Sequence, residues 1–187
     1  MITINQIVPD FEGDAYYQHD IKKIKLSKYR GKWVVLIFYP ADFTFVCPTE
    51  LEDAASLYKE FKKLGAEVMS ISTDTAFAHK AWHDNSDAIS KVQYPMLADP
   101  TGNVSRMFGV YIDDEGLALR GTFIIDPDGV LKTMEIHDNN IGRSIGETLR
   151  KLQAAKFVRE HKGNVCPASW KPGDHTLKPG VDLVGKI

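Results

Sequence analysis

Apolar residues are spaced along this chain in two distinct ways. Trp33 to Tyr39 (WVVLIFY) is an unbroken run of β-branched and aromatic residues, which predicts a strand buried on both faces. Glu67 to Ser72 (EVMSIS) predicts a second such strand. Between them, Leu51, Ala54, Ala55, Tyr58, Phe61 and Leu64 recur at helical spacing, with Glu52, Asp53, Ser56, Lys59, Glu60 and Lys63 filling the other side. Acids open this segment, lysines close it and Gly65 follows, so its charges suit the helix dipole and its end is marked. Phe77 to Ile89 predicts a second helix. Thr122 to Ile136 predicts a hairpin turning at Asp126-Pro127-Asp128-Gly129. Arg143 to Glu160 predicts a long helix with apolar Ile145, Leu149, Leu152, Ala155 and Phe157, and residues 13–32 predict a small N-terminal hairpin. This order implies an α/β layer fold, a mixed sheet with helices on both faces.

From Gly163 onward the texture changes. Pro167, Pro172, Gly173, Pro179, Gly180 and Gly185 interrupt any regular element, yet Val165, Trp170, Leu177, Val181, Leu183 and Ile187 need cover. The reading is a domain over residues 1–162 and an extended C-terminal arm over 163–187. The arm lies against its own domain or a second subunit.

Composition narrows the function classes. A chain of 187 residues is about one domain. Lys+Arg (23) nearly balances Asp+Glu (25), so no basic excess exists to neutralise phosphates, and nucleic acid is not expected as a partner. The longest apolar run stops at Pro40, far short of the roughly 20 residues a membrane span needs. The first residues, MITINQIVPDFEGD, have no basic stretch followed by an apolar one, and a cytoplasmic location is expected.

The two cysteines, Cys47 and Cys166, lie far apart and form neither a Cys-x-x-Cys pair nor a zinc ribbon. Cys47 ends the loop that leaves the first buried strand. Two helix registers fit: Cys47 itself as the cap with Pro48 in the first helical position, or Thr44 as the cap with Cys47 in the first turn. Either puts the sulfur at the positive end of the dipole, which favours thiolate over thiol. Glu50 opposes that charge unless a cation sits near both groups. Arg30, Arg106, Arg120, Arg143, Arg150 and Arg159 are candidates that spacing alone does not separate, although Arg120 stands at the start of the predicted hairpin. Phe43, Phe45 and Pro40 are either a cover against water or ordinary core.

The run PADFTFVCPTEL, residues 40–51, resembles the active-site motif Pro-x-x-x-Thr-x-x-Cys of the peroxiredoxins. EVMSISTDTAFAHKAW, DDEGLALRGTFIIDPDGV, IGRSIGETLRKLQA and GNVCPASWKPG extend the resemblance over nearly the whole chain, to the typical 2-Cys class and its bacterial alkyl hydroperoxide reductase branch. The resemblance implies a thioredoxin-like fold and a thiol peroxidase acting on hydrogen peroxide and organic hydroperoxides. It makes Cys47 the peroxidatic cysteine and Cys166 the resolving cysteine of a partner subunit. Thr44 and Arg120 match positions that hold the sulfur and peroxide oxygens, Pro40 one that shields the sulfenic acid, and Glu50 and Arg143 the partners that orient Arg120. No bound cofactor or metal is implied. Reducing equivalents would come from NADH or NADPH through a flavoprotein disulfide reductase or thioredoxin, and homodimers would assemble into a decamer.

The region from Asp84 to Pro95 lacks the Gly-Gly-Leu-Gly loop of peroxide-sensitive relatives, and the tail ends LVGKI without Tyr-Phe. Resistance of Cys47 to overoxidation is therefore expected. His79 and His83 share a helix face at a spacing that suits zinc, but no third ligand is apparent, and surface or capping roles are the expectation. Trp82 between them reads as packing. A client-holding role that does not need Cys47 and a general disulfide reductase are the competing readings, the latter disfavoured by the missing Cys-x-x-Cys.

Overall fold

The computed structural model describes residues 1–186; Ile187, one of the arm residues expected to need cover, lies outside the described residues. The elements in chain order are β1 (Glu12–Tyr17), β2 (Asp20–Lys25), β3 (Trp33–Phe38), α1 (Cys47–Lys63), β4 (Ala66–Ser72), α2 (Ala76–Asn85), β5 (Met96–Ala98), α3 (Asn103–Phe108), β6 (Tyr111–Ile112), β7 (Leu117–Ala118), β8 (Arg120–Ile125), β9 (Leu131–His137) and α4 (Ile145–Glu160). Two compact units divide the chain, Met1–Ile145 and Gly146–Ile187.

In the first unit, seven strands form one mixed sheet in the order β2-β1-β5-β4-β3-β8-β9, and β6 and β7 form a small separate ribbon. β3 and β4 run parallel with Trp33 opposite Ala66, and β4 and β5 run parallel with Ser70 opposite Met96. β8 lies antiparallel to β3, and β9 to β8. The two central strands are buried at every position, as an apolar run without alternation requires. Val34, Leu36 and Phe38 of β3 and Met69 and Ile71 of β4 point to one side, into a core shared with Val104 and Phe108 of α3. The alternate residues face the other side, where α1 packs on β4 with Leu51, Ala54, Tyr58 and Phe61 buried. Helices thus cover both faces.

Several boundaries differ from the sequence reading. α1 is capped by Val46, whose side chain makes no capping bond, so Cys47 is the first helical residue and Pro48 the second. Neither expected cap is used, although Cys47 does lie in the first turn, as the second register placed it. α2 stops at Asn85 because Ser86 turns to an extended conformation (φ −129°, ψ 121°) and offers its hydroxyl to the Ile89 N–H, a local bond that competes with the helix. A short 3₁₀ turn covers Ile89–Lys91 instead. β5 and α3 are unforeseen. Glycines in the left-handed region, Gly102 and Gly109, flank α3, and the buried Asp99 carboxylate accepts the N–H groups of Val104 and Ser105.

In the second unit the arm folds on itself. Val165 and Leu177 exchange backbone bonds of 2.8 and 3.1 Å. The Trp170 ring packs 4.9 Å from Phe157, its N–H donates to the Asp174 carbonyl, and its own carbonyl accepts from Arg150. Val181 and Val184 remain exposed.

Candidate active site

The site starts where β3 runs out. Tyr39 continues the β3–β4 pairing by one bond, its N–H to the Ile71 carbonyl at 3.0 Å. Pro40, buried, then turns the chain away because it has no N–H to continue the ladder. The loop to Val46 is tied down at Asp42, whose N–H donates to Asp74 at 2.9 Å. Phe43 follows in the left-handed region (φ 56°), a conformation that costs a non-glycine residue roughly 1–2 kcal/mol. The Thr44 hydroxyl donates to the Ala41 carbonyl at 2.8 Å. Val46 then accepts the N–H groups of Thr49 and Glu50 and the Thr49 hydroxyl, closing the first turn of α1.

Cys47, in that first turn, is fully buried. Glu50 lies one turn further on the same face, with its side chain 2 % exposed. Its carboxylate sits between two guanidinium groups. Arg120, the first residue of β8, donates through Nη1 to Glu50 at 2.7 Å and reaches Cys47 Sγ at 3.4 Å. Its remaining nitrogens donate to the Asn139 carbonyl at 3.0 and 2.8 Å. Arg143, in the loop before α4, gives Glu50 its backbone N–H at 2.8 Å and its Nε at 3.1 Å. Its other end is anchored on Gly121, Thr122 and the Phe38 carbonyl. Burial pulls the Arg143 guanidinium below its ordinary pKa, and Glu50 opposes that pull.

Charge counting gives this arrangement its chemical character. One buried carboxylate and two buried guanidiniums carry a net positive charge, and the uncompensated unit faces the sulfur. A buried cation whose charge is only partly compensated is costly, so the cluster presents an electropositive face to the sulfur. The same donors can receive a negative charge that develops beside the sulfur during a reaction.

The structure therefore brings together Cys47, Glu50, Arg120 and Arg143. Pro40 and Thr44 head the loop into Cys47. Of the other arginine candidates, Arg106 stacks on Tyr111 and pairs with Asp113, and Arg150 pairs with Glu147. Cys166 belongs to the second unit, half-buried, with Sγ 4.0 Å from the Ala154 carbonyl. Burial pushes the Cys166 thiol above its ordinary pKa, with Arg150 opposing. Both cysteines are free thiols. Phe43 and Phe45 do not cover the site as expected: Phe45 is 93 % exposed and Phe43 more than half. His79 is neither a surface nor a capping residue. It is fully buried, its Nδ1 2.8 Å from the Asp42 carboxylate. Among the described residues no group of three or more possible metal ligands gathers. Sequence reasoning missed the Asn139 carbonyl and the Asp42–His79 pair, which residue spacing does not signal.

Comparison with known proteins gives the same picture over the whole chain. Residues 4–134 match the AhpC/TSA family, and residues 154–186 match the C-terminal domain of 1-Cys peroxiredoxin. The chain is 54 % identical over 187 residues to alkyl hydroperoxide reductase C of Pseudomonas aeruginosa, covering all of both chains. It superposes on the crystal structure of Enterococcus faecalis AhpC with a TM-score of 0.86 and 47 % identity, over 89 % of this chain and 100 % of that one. A reduced 2-Cys peroxiredoxin of Plasmodium vivax gives a TM-score of 0.92 at 31 % identity, over 96 % of this chain and 94 % of that one.

Proposed function

The chain belongs to the AhpC/TSA family of peroxiredoxins, and we propose that it reduces hydrogen peroxide and organic hydroperoxides at Cys47. The observation that carries this reading is the buried Cys47 sulfur 3.4 Å from a guanidinium that Glu50 and Arg143 hold in place.

In the proposed reaction the Cys47 thiolate attacks the terminal peroxide oxygen. A sulfur–oxygen bond forms, the O–O bond breaks, and the electron pair leaves on the second oxygen, which takes a proton and departs as water or alcohol. Sulfur is oxidised to the sulfenic acid and the peroxide is reduced. Arg120 stabilises the charge that grows on the leaving oxygen. The Thr44 hydroxyl already spends its proton on Ala41, so its oxygen has lone pairs free to accept the peroxide O–H. Pro40 limits water around the sulfenic acid. Cys166, on the arm over residues 163–187, then attacks that sulfur in a partner subunit, forming a disulfide and releasing water. A flavoprotein disulfide reductase or thioredoxin restores both thiols with electrons from NADH or NADPH, so no bound cofactor is needed.

The homodimer and decamer belong to this proposal. Exposed Phe43, Phe45 and Phe77 are apolar area of the kind assembly covers. Among the described residues no helix is long and apolar enough to cross a membrane, and a cytoplasmic site of action fits the reading. A one-cysteine cycle is the second reading, because residues 154–186, which include Cys166, match a model named for 1-Cys peroxiredoxins.

Non-reducing electrophoresis after one equivalent of hydrogen peroxide separates these readings. A linked dimer that disappears in both Cys47→Ser and Cys166→Ser supports the two-cysteine cycle. Peroxide consumption that needs Cys47 but leaves only monomer supports the one-cysteine cycle. Consumption unaffected by Cys47→Ser removes the proposal.

A further inference from the structure

Beneath the loop that delivers Thr44 and Cys47 lies a buried polar chain to which the peroxidase reading gives no role. Asp42 uses both carboxylate oxygens there: Oδ1 accepts the Tyr39 hydroxyl at 2.7 Å, and Oδ2 lies 2.8 Å from His79 Nδ1. His79 Nε2 reaches the Leu97 carbonyl of β5 at 3.3 Å. Asp42 is also held through its backbone, since its N–H donates to Asp74, whose carboxylate accepts the Ser72 hydroxyl. Asp42 is thus fastened to the end of β3, to α2 and to the segment after β4, and through His79 to β5.

The residue after this anchor is Phe43, in the left-handed conformation, with its ring 6.1 Å from Trp82 of α2. A strained non-glycine conformation persists only where its surroundings over-determine it, and such residues gather at functional sites. Thr44 comes next and Cys47 three residues later. Solvent does not explain the histidine, which has no exposed surface. Its two ring nitrogens face oxygens on two different elements, so the ring spans from loop to sheet.

We propose that His79, acting through Asp42, is a positioning residue for the peroxide step. The Tyr39–Asp42–His79 chain holds Phe43 in its strained conformation and so fixes where the Thr44 oxygen stands relative to the Cys47 sulfur. This inference rests on the peroxidase reading, and its test separates the two. It also separates alignment from general damage, because alkylation of Cys47 by iodoacetamide, like its reaction with peroxide, needs the buried sulfur to be reached but needs no aligned threonine.

The experiment uses the full chain in a Cys166→Ser background, so that one thiol reports. Rates with hydrogen peroxide and with iodoacetamide are measured for the parent and for His79→Leu, His79→Asn and Tyr39→Phe. The His79→Leu variant is expected to react roughly thirtyfold more slowly with peroxide, since small misplacements of reacting groups are expensive, while alkylation stays within about twofold. The Asn variant, whose amide can replace Nδ1 toward Asp42, is expected to recover to within about threefold of the parent. Should His79→Leu fail to fold, Tyr39→Phe carries the same test, with a roughly threefold loss toward peroxide and unchanged alkylation. A folded His79→Leu or Tyr39→Phe with the parent's peroxide rate overturns the inference. So does a parallel fall in both rates that asparagine does not rescue. A parent that ignores hydrogen peroxide instead defeats the peroxidase reading, and does so before any variant is compared.

Discussion

Glu50 holds the candidate site together through charge. Its carboxylate is buried between Arg120 and Arg143; Arg120 has further donors on the Asn139 carbonyl and the Cys47 sulfur, and Arg143 on carbonyl and hydroxyl oxygens. Removing the negative charge leaves two buried cations facing each other, a situation that costs about 3–5 kcal/mol when one partner of a buried ion pair is lost. Glu50→Gln is therefore expected to unfold at markedly lower urea concentration and to react more slowly with peroxide, since Arg120 then loses its charged partner and keeps only the Asn139 carbonyl to hold it beside the sulfur. Denaturation and peroxide consumption measured on one preparation check both halves. The need for an arginine beside Glu50 was legible from charge alone. Which arginine was not, because Arg120 and Arg143 arrive from elements distant in sequence. Only the motif resemblance singled out Arg143. Asp42 and His79 look in sequence like a loop acid and a helix-surface histidine; burial, which needs the fold, turns them into a pair.

At the scale of elements, apolar spacing foretold the long pieces because core burial dictates them. β3, β4, α1 and the β8–β9 hairpin all stand where the pattern put them. The misses are short or decided by side-chain bonds to backbone: three-residue β5, six-residue α3 capped by Asp99, and α2 cut off at Ser86. α1 carries one test of its own packing. On its inner face the Tyr58 hydroxyl donates at 2.5 Å to Glu67, an acid buried in β4 whose other oxygen pairs with Lys62. Burial and this acid raise the Tyr58 phenol well above its ordinary pKa, so it stays a donor through the working pH range. Tyr58→Phe removes one of three donors to a buried carboxylate, leaving Lys62 and the Val68 N–H, and should cost about 1–3 kcal/mol. Urea denaturation measures it, and an unchanged midpoint contradicts the role given to the bond.

For the molecule as a whole, the two cysteines occupy separate units and different environments. Cys47 is sealed beside a guanidinium, whereas Cys166 is half-buried on the arm, its thiol shifted upward by burial. A raised thiol pKa means less thiolate than an ordinary cysteine carries at neutral pH, with reactivity climbing as pH approaches the shifted value. In a Cys47→Ser protein, alkylation of Cys166 near pH 8 is expected to be slower folded than in urea, and to keep rising with pH above about 8.5. Faster alkylation in the folded protein contradicts this. The asymmetry suits a division of labour in which Cys47 meets the oxidant and Cys166 waits for the oxidised sulfur. The break in texture at Gly163 was visible in composition, but the Trp170–Phe157 packing that gathers the arm was not, since it joins an irregular segment to a helix.

The most direct test is the intact mass of the reduced Cys166→Ser protein after one equivalent of hydrogen peroxide. One oxygen atom is expected to be added at Cys47, trapped as an adduct by dimedone and absent from Cys47→Ser. A Cys47 thiol that survives the oxidant unmodified contradicts this expectation.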